Sequence, residues 1–244
     1  MTAAGIVSGV FRAVEYAGLL GFIGVVVMRR LGAQPPHLGW ARPGMERALA
    51  LAFVGGGLAV AMAPSWLGGI RVALELAALV FCLRWGPGAV PAGFAAVLLV
   101  GLAGHVQPDG PSIFVAELHV LSAGMWAGGV VVLATLQPPR GWRGVEGQDL
   151  LTRFGRVAFV AFAFTGLTGL LRAGEELTGL EDLWTTAYGV VLLLKSAGVL
   201  AMLVMAAITW RRGVPLARTD AVAALVVMVA TGLLAAFPTP PAGA

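Results

Sequence analysis

Residues 6–28 read IVSGVFRAVEYAGLLGFIGVVVM, an apolar run interrupted by only two charged residues, Arg12 and Glu15. A bilayer core about 30 Å thick is crossed by about 20 helical residues, so this run is long enough to span. No basic stretch precedes it, and it ends in Met28-Arg29-Arg30 with no small-residue cleavage site. It is therefore expected to be a retained helix and not a signal peptide.

The same reading extends along the chain. Apolar runs at 47–64, 70–85, 89–104, 113–136, 153–172, 186–210 and 220–237 predict eight transmembrane helices in a single integral membrane domain over 1–244. Pro35-Pro36, Pro64, Gly86-Pro87-Gly88, Pro108 to Pro111, Pro138-Pro139 and Pro215 punctuate them. Of the 244 residues, 59% are hydrophobic and 11% charged, and the mean hydropathy is +0.90. That composition excludes a soluble domain. The runs lack the period-2 alternation of barrel strands, so the expected fold class is all-α, a polytopic membrane helical bundle.

A net charge of +4 would point a soluble protein towards nucleic acid, but here the basic residues mark topology. Arg29, Arg30, Arg42, Arg47, Arg84, Arg140, Arg143, Arg153, Arg156, Arg211, Arg212 and Arg218 fall on one side of the expected spans. Arg71 and Arg172 fall on the other, and Arg12 and Lys195 lie within spans. Positive-inside then places both termini outside. The acidic loop with Glu175, Glu176, Glu181 and Asp182 also faces out. Trp40, Trp66, Trp85, Trp142, Trp184 and Trp210 sit at span ends or in loops, as interfacial anchors do, whereas Trp126 falls mid-span. The single cysteine, Cys82, allows no disulfide within the chain and no Cys-based metal motif, and reads as packing. Small residues at helix-packing spacing, such as Ala17, Gly21 and Gly24, Gly124 and Gly128, and Gly166 and Gly169, predict close helix crossings.

Ionisable groups inside a membrane are expensive and mark function by default. Arg12 and Glu15 fall in the outer half of the first span, and Glu75 near the outer end of the third. His105 caps the fourth. Glu117 and His119 lie about 6 to 9 Å into the fifth, and Lys195 lies within the seventh. The inner halves carry almost nothing ionisable, so the expectation is a polar pocket open to the outside. Snorkelling accounts for Arg12, Arg71 and Glu75 in the alternative, but a histidine is too short to snorkel far. Arg12 and Glu15 are spaced to pair. Lys195 shares a face with Tyr188 and requires a carboxylate, with Glu15 or Glu75 available. His119, Ser122 and Trp126 share one helix face, with Glu117 nearly opposite. The turn Pro108-Asp109-Gly110-Pro111 returns the chain so that His105 and His119 can meet. Two imidazoles near carboxylates suit Cu, Zn or Fe, or else are hydrogen-bonded structural histidines. Met62 and Met125 are further soft donors for Cu(I), while Met202 and Met205 read as packing. His37 is expected to be a solvated loop residue.

Gly104-His105, followed by Leu118-His119-Val120-Leu121-Ser122-Ala123-Gly124-Met125-Trp126-Ala127-Gly128-Gly129, resembles the copper-resistance protein D (CopD) family. Arg153-Phe154-Gly155-Arg156 leading to Thr165-Gly166-Leu167-Thr168-Gly169 resembles its next helix, and Tyr188-Gly189 to Lys195 with Trp210-Arg211-Arg212 the one after. The resemblance covers the chain from about Gly101 onward. It implies a bacterial inner-membrane protein of eight helices, both termini periplasmic, that takes up or handles copper as Cu+ or Cu2+, often with a periplasmic copper carrier of the CopC type. On that resemblance His105 and His119 are the leading copper ligands, with Trp126 lining the site; by their own positions Glu15, Glu117, Met125 and Met62 are candidate further donors. Ser122, Lys195, Tyr188, Glu75 and Arg12 would line it as well. A haem b-binding redox protein, with paired histidines on the iron, and a non-transporting assembly or scaffold protein are the alternatives. No hydrolytic or transferase motif is present, so an enzyme is not expected.

Overall fold

The structure, a computed structural model, describes residues 3–33, 35–84, 86–102, 110–177, 179, 181–212, 222 and 227. Their regular structure is helical, with no strands among them. Helix α1 runs Ala3–Leu31, α2 Glu46–Met62, α3 Trp66–Arg84 and α4 Ala89–Leu102. Helix α5, Gly110–Ala123, passes through a π-helical turn, Gly124–Gly128, into α6, Gly129–Leu133. Helix α7 runs Val145–Glu176, a single turn α8 covers Asp182–Thr185, and α9 runs Ala187–Arg212. Five stretches are long and apolar enough to cross a bilayer, namely Val7–Leu31, Trp66–Arg84, Ser112–Leu133, Val145–Gly174 and Gly189–Ile208. Ala89–Val100 is a shorter apolar helix. The eighth expected run, 220–237, lies outside the described residues except for Val222 and Val227.

Two helix starts differ from expectation for local reasons. Helix α3 begins four residues before Ile70 because the Ser65 hydroxyl accepts from the Gly68 backbone N–H at 3.2 Å, a capping bond that starts the helix at Trp66. Helix α7 begins well before Arg153. Its first two turns are polar, and Glu146 in the first turn accepts from Arg140 and complements the helix dipole. Gln148 Nε2 donates to the Trp142 carbonyl at 2.7 Å, and Arg153 Nε donates to Asp149 at 2.9 Å. Between α3 and α4 the turn needs Gly86, whose φ of +71° suits glycine alone.

Helix α1 is the central element and touches α2, α4, α5, α6 and α7. On one side Gly18 lies against the backbone of Ala48 and Ala52, and Gly55 lies against the backbone of Phe11 and Glu15. On another side Gly24 meets the backbone of Gly128 and Gly129, and Gly128 meets the Leu20 carbonyl. Side chains fill the gaps between these contacts. Phe22, fully buried, packs edge-on against Phe94 with ring centroids 5.6 Å apart and covers Gly93, and Ile23 covers Gly124. Outward faces are the reverse of a soluble protein's. Phe159 and Leu170 on α7 are each 75% exposed, and Leu193, Leu194, Leu200 and Val204 on α9 also point away from the protein. Such a surface is compatible with lipid and not with water.

One end of the bundle gathers the basic residues. The segment after α1 forms a 3₁₀ turn at Pro36–Leu38 and docks on the start of α7 through His37 Nε2 and Asp149 Oδ2, 2.9 Å apart. Trp40 and Trp142 meet edge-to-face, 6.5 Å apart, at this same end. His37 is exposed, as expected of a solvated loop residue, and its pairing holds the loop to a helix.

Gly128→Val places a side chain against the Leu20 carbonyl and is expected to cost about 3 kcal/mol or more. Gly57→Ala, where an added Cβ meets nothing within 4 Å, is expected to change stability by under about 1 kcal/mol. Thermal unfolding of the two variants in detergent, compared with the parent, checks both values.

Candidate functional site

The face shared by His119, Ser122 and Trp126 is buried against α7. Each of the three side chains is under 10% exposed. Two threonines of α7, Thr165 and Thr168, meet them. Trp126 Nε1 donates to Thr165 Oγ1 at 3.1 Å, and Thr165 Oγ1 lies 2.8 Å from Ser122 Oγ. Ser122 donates back to the His119 carbonyl at 3.1 Å. Trp126 also stands edge-on to Phe162 at 5.3 Å. The indole that seemed misplaced mid-span is therefore anchored by a hydrogen bond inside the bundle.

His119 Nδ1 lies 3.0 Å from Thr168 Oγ1. A threonine hydroxyl has one proton, and Thr168 directs its own to the Phe164 carbonyl at 2.6 Å. Thr168 therefore accepts from the His119 Nδ1–H. With the proton on Nδ1, the neutral imidazole carries its lone pair on Nε2, the form in which histidine ligates metals. Gly169 makes room for the ring, since a Cβ there would stand 3.3 Å from His119 Cε1. Helix α5 starts at Gly110, so His119 lies about 13 Å along it. The charges of Lys195 on α9 and Arg172 on α7 act on the imidazole.

The remaining candidates are distributed elsewhere. Glu15 pairs with Arg71, whose Nη2 donates to Glu15 Oε2 at 3.0 Å. Arg12 is not its bonded partner. Arg71 is 3% exposed, so it is buried in an ion pair and does not snorkel. Glu75 is fully buried at the middle of α3, because the helix extends further than the sequence run implied. Glu117 is half-buried, with both carboxylate oxygens lacking a hydrogen-bond partner. Met125 packs against the core, and Met62 is 50% exposed at the end of α2. Arg12 and Lys195 are half-buried. His105 lies outside the described residues, as does the side chain of Tyr188. Among the described residues no three His, Cys, Asp or Glu side chains gather to hold a metal ion. His119, Glu15 and Glu117 therefore do not form one such group. His119 is also far from His37, because Thr168 and Asp149, their respective partners, are about 28 Å apart along α7.

Thr165 and Thr168 carry no charge, so ionisable groups alone do not mark them in the sequence. Their i, i+3 spacing in Thr165-Gly166-Leu167-Thr168-Gly169 complements His119 and Ser122 at i, i+3 on α5, and that match is the signal that would have paired the two helices.

A curated protein, the copper transport protein CutJ of Bacillus subtilis (strain 168), is 28% identical over 162 residues, covering 61% of this chain and 30% of that protein. The chain thus spans under a third of its relative's length. No solved structure matches the chain. Residues 148–238 match the family described as copper resistance protein D, a stretch that includes Thr165 and Thr168 and starts after His119. The match begins in the first turns of α7 and takes in less than half of the chain, whose several long apolar helices are those of a multi-pass membrane protein.

Proposed function

We propose that this protein takes copper as its substrate within the membrane and passes it across the bilayer or to a partner, with His119 as the central ligand. The observation that carries the reading is the buried imidazole of His119, held through Nδ1 by Thr168 with Nε2 left to bind. A hydrogen bond to the far nitrogen is the usual way a protein orients a metal-binding histidine. The naming of the matched family and of CutJ for copper supports the choice of metal.

In this reading His105 supplies a second imidazole, and Glu117 or Met125 a further donor, while Ser122 and Trp126 line the site. Glu15 is engaged by Arg71 and takes no part in coordination. Copper enters from the face opposite the basic end of the bundle, where positive-inside puts the periplasm. Eight spans in a bacterial inner membrane, with both termini periplasmic, complete the topology, and a periplasmic copper carrier is the natural donor. The role is transport or delivery, not catalysis.

Detergent-purified protein is expected to retain copper, and His119→Ala to lose most of it; equal copper in the two would remove His119 from the site. Thr168→Val keeps the imidazole but removes its acceptor, and is expected to weaken copper binding by about 10- to 100-fold in a competition titration against a chromophoric chelator. A Soret band in the same sample would favour haem instead.

A further inference from the structure

Three charged side chains meet between α1, α2 and α3, and the copper reading uses none of them. Arg71 and Glu15 are paired, with Arg71 Nε 2.5 Å from Glu15 Oε1 in addition to the Nη2 bond. Glu75 is one turn further along α3, fully buried, with neither carboxylate oxygen hydrogen-bonded. The two carboxyls converge on Gly56 of α2. A Cβ there would stand 2.6 Å from Glu75 Oε2 and 2.9 Å from Glu15 Oε1, so glycine leaves the space that they occupy. Glu75 is about 13 Å from either end of α3, as far from water as this helix allows.

The charges do not balance. The charged groups acting on Glu75 are Arg71 and Glu15. Arg12, one turn before Glu15, acts on Glu15 and on the neighbouring Tyr16. Helix α2 faces the cluster with Gly55 and Gly56 and brings no titratable group at this level, and α4 contains none. Within the bonded cluster one guanidinium, Arg71, therefore faces two carboxyls, while Arg12 acts on Glu15 from outside it. A buried carboxylate with no partner costs several kcal/mol, and a second one alongside adds repulsion. A proton removes both penalties and supplies the missing hydrogen bond.

We propose that Glu15 and Glu75 form an intramembrane proton-binding site, in which one proton on Glu75 bridges to the Arg71-paired Glu15 carboxylate and exchanges with water. When the proton departs to water, the site is left with one net negative charge, and uptake restores neutrality. Proton movement through the site would then accompany cation movement through the protein.

Infrared spectroscopy of the purified full-length chain near neutral pH tests the site without copper. The expected result is a carbonyl band from a protonated carboxyl that disappears in Glu75→Gln and moves to lower frequency in D₂O. Glu15→Gln leaves one carboxyl and one guanidinium, so the Glu75 band is expected to vanish there too as an ordinary ion pair forms. That second variant keeps the test open if Glu75→Gln fails to fold. Absence of the band, its survival in Glu75→Gln or its persistence in Glu15→Gln would overturn the shared proton. A band that does not move after prolonged D₂O exposure would overturn exchange.

Discussion

The bundle depends on α1 touching its neighbours backbone to backbone. In lipid no hydrophobic effect pulls helices together, so association relies on close packing, and small residues permit it. Gly18 and Gly55 bring α1 and α2 into contact. Gly24 and Gly128 do the same for α1 and the π-helical turn after α5. Glu15 of α1 meets Arg71 of α3, and Tyr16 beside it feels the Arg71 charge as well.

The π-helical turn has a related role. Its five residues include Trp126, and its glycines admit Ile23 from α1 on one side, while Gly129 just beyond admits Phe154 from α7. π-turns occur mostly where function has required an extra residue in a helix. Here the turn lies one helical turn beyond His119 and Ser122, and its indole is tied to Thr165. The polar line of His119, Ser122, Trp126, Thr165 and Thr168 is thus braced from both helices. Such bracing is what a metal-binding imidazole requires to keep its geometry.

Much of this was legible in the sequence, and the rest was hidden for identifiable reasons. The helical class and most spans followed from apolar runs, because a chain in lipid has few other ways to satisfy its backbone. Helix starts were misjudged where a polar cap or amphipathic turn extends a helix past its apolar run, as at Ser65 and at Glu146. The common face of His119, Ser122 and Trp126 was readable from spacing, but its partners were not, since threonines do not stand out in a search for charge. Arg71 looked like a snorkelling side chain because its partner, Glu15, is distant in sequence. Only the contact of α1 with α2 and α3 turns those two residues into a buried pair beside Glu75.

The proposed copper site stands on the imidazole of His119 inside the membrane bundle. X-ray absorption at the copper edge, recorded on the copper-loaded full-length protein, is the decisive measurement. Outer-shell scattering characteristic of coordinated imidazole is the expected result. A first shell of sulfur alone, or a protein that retains no copper, would contradict it.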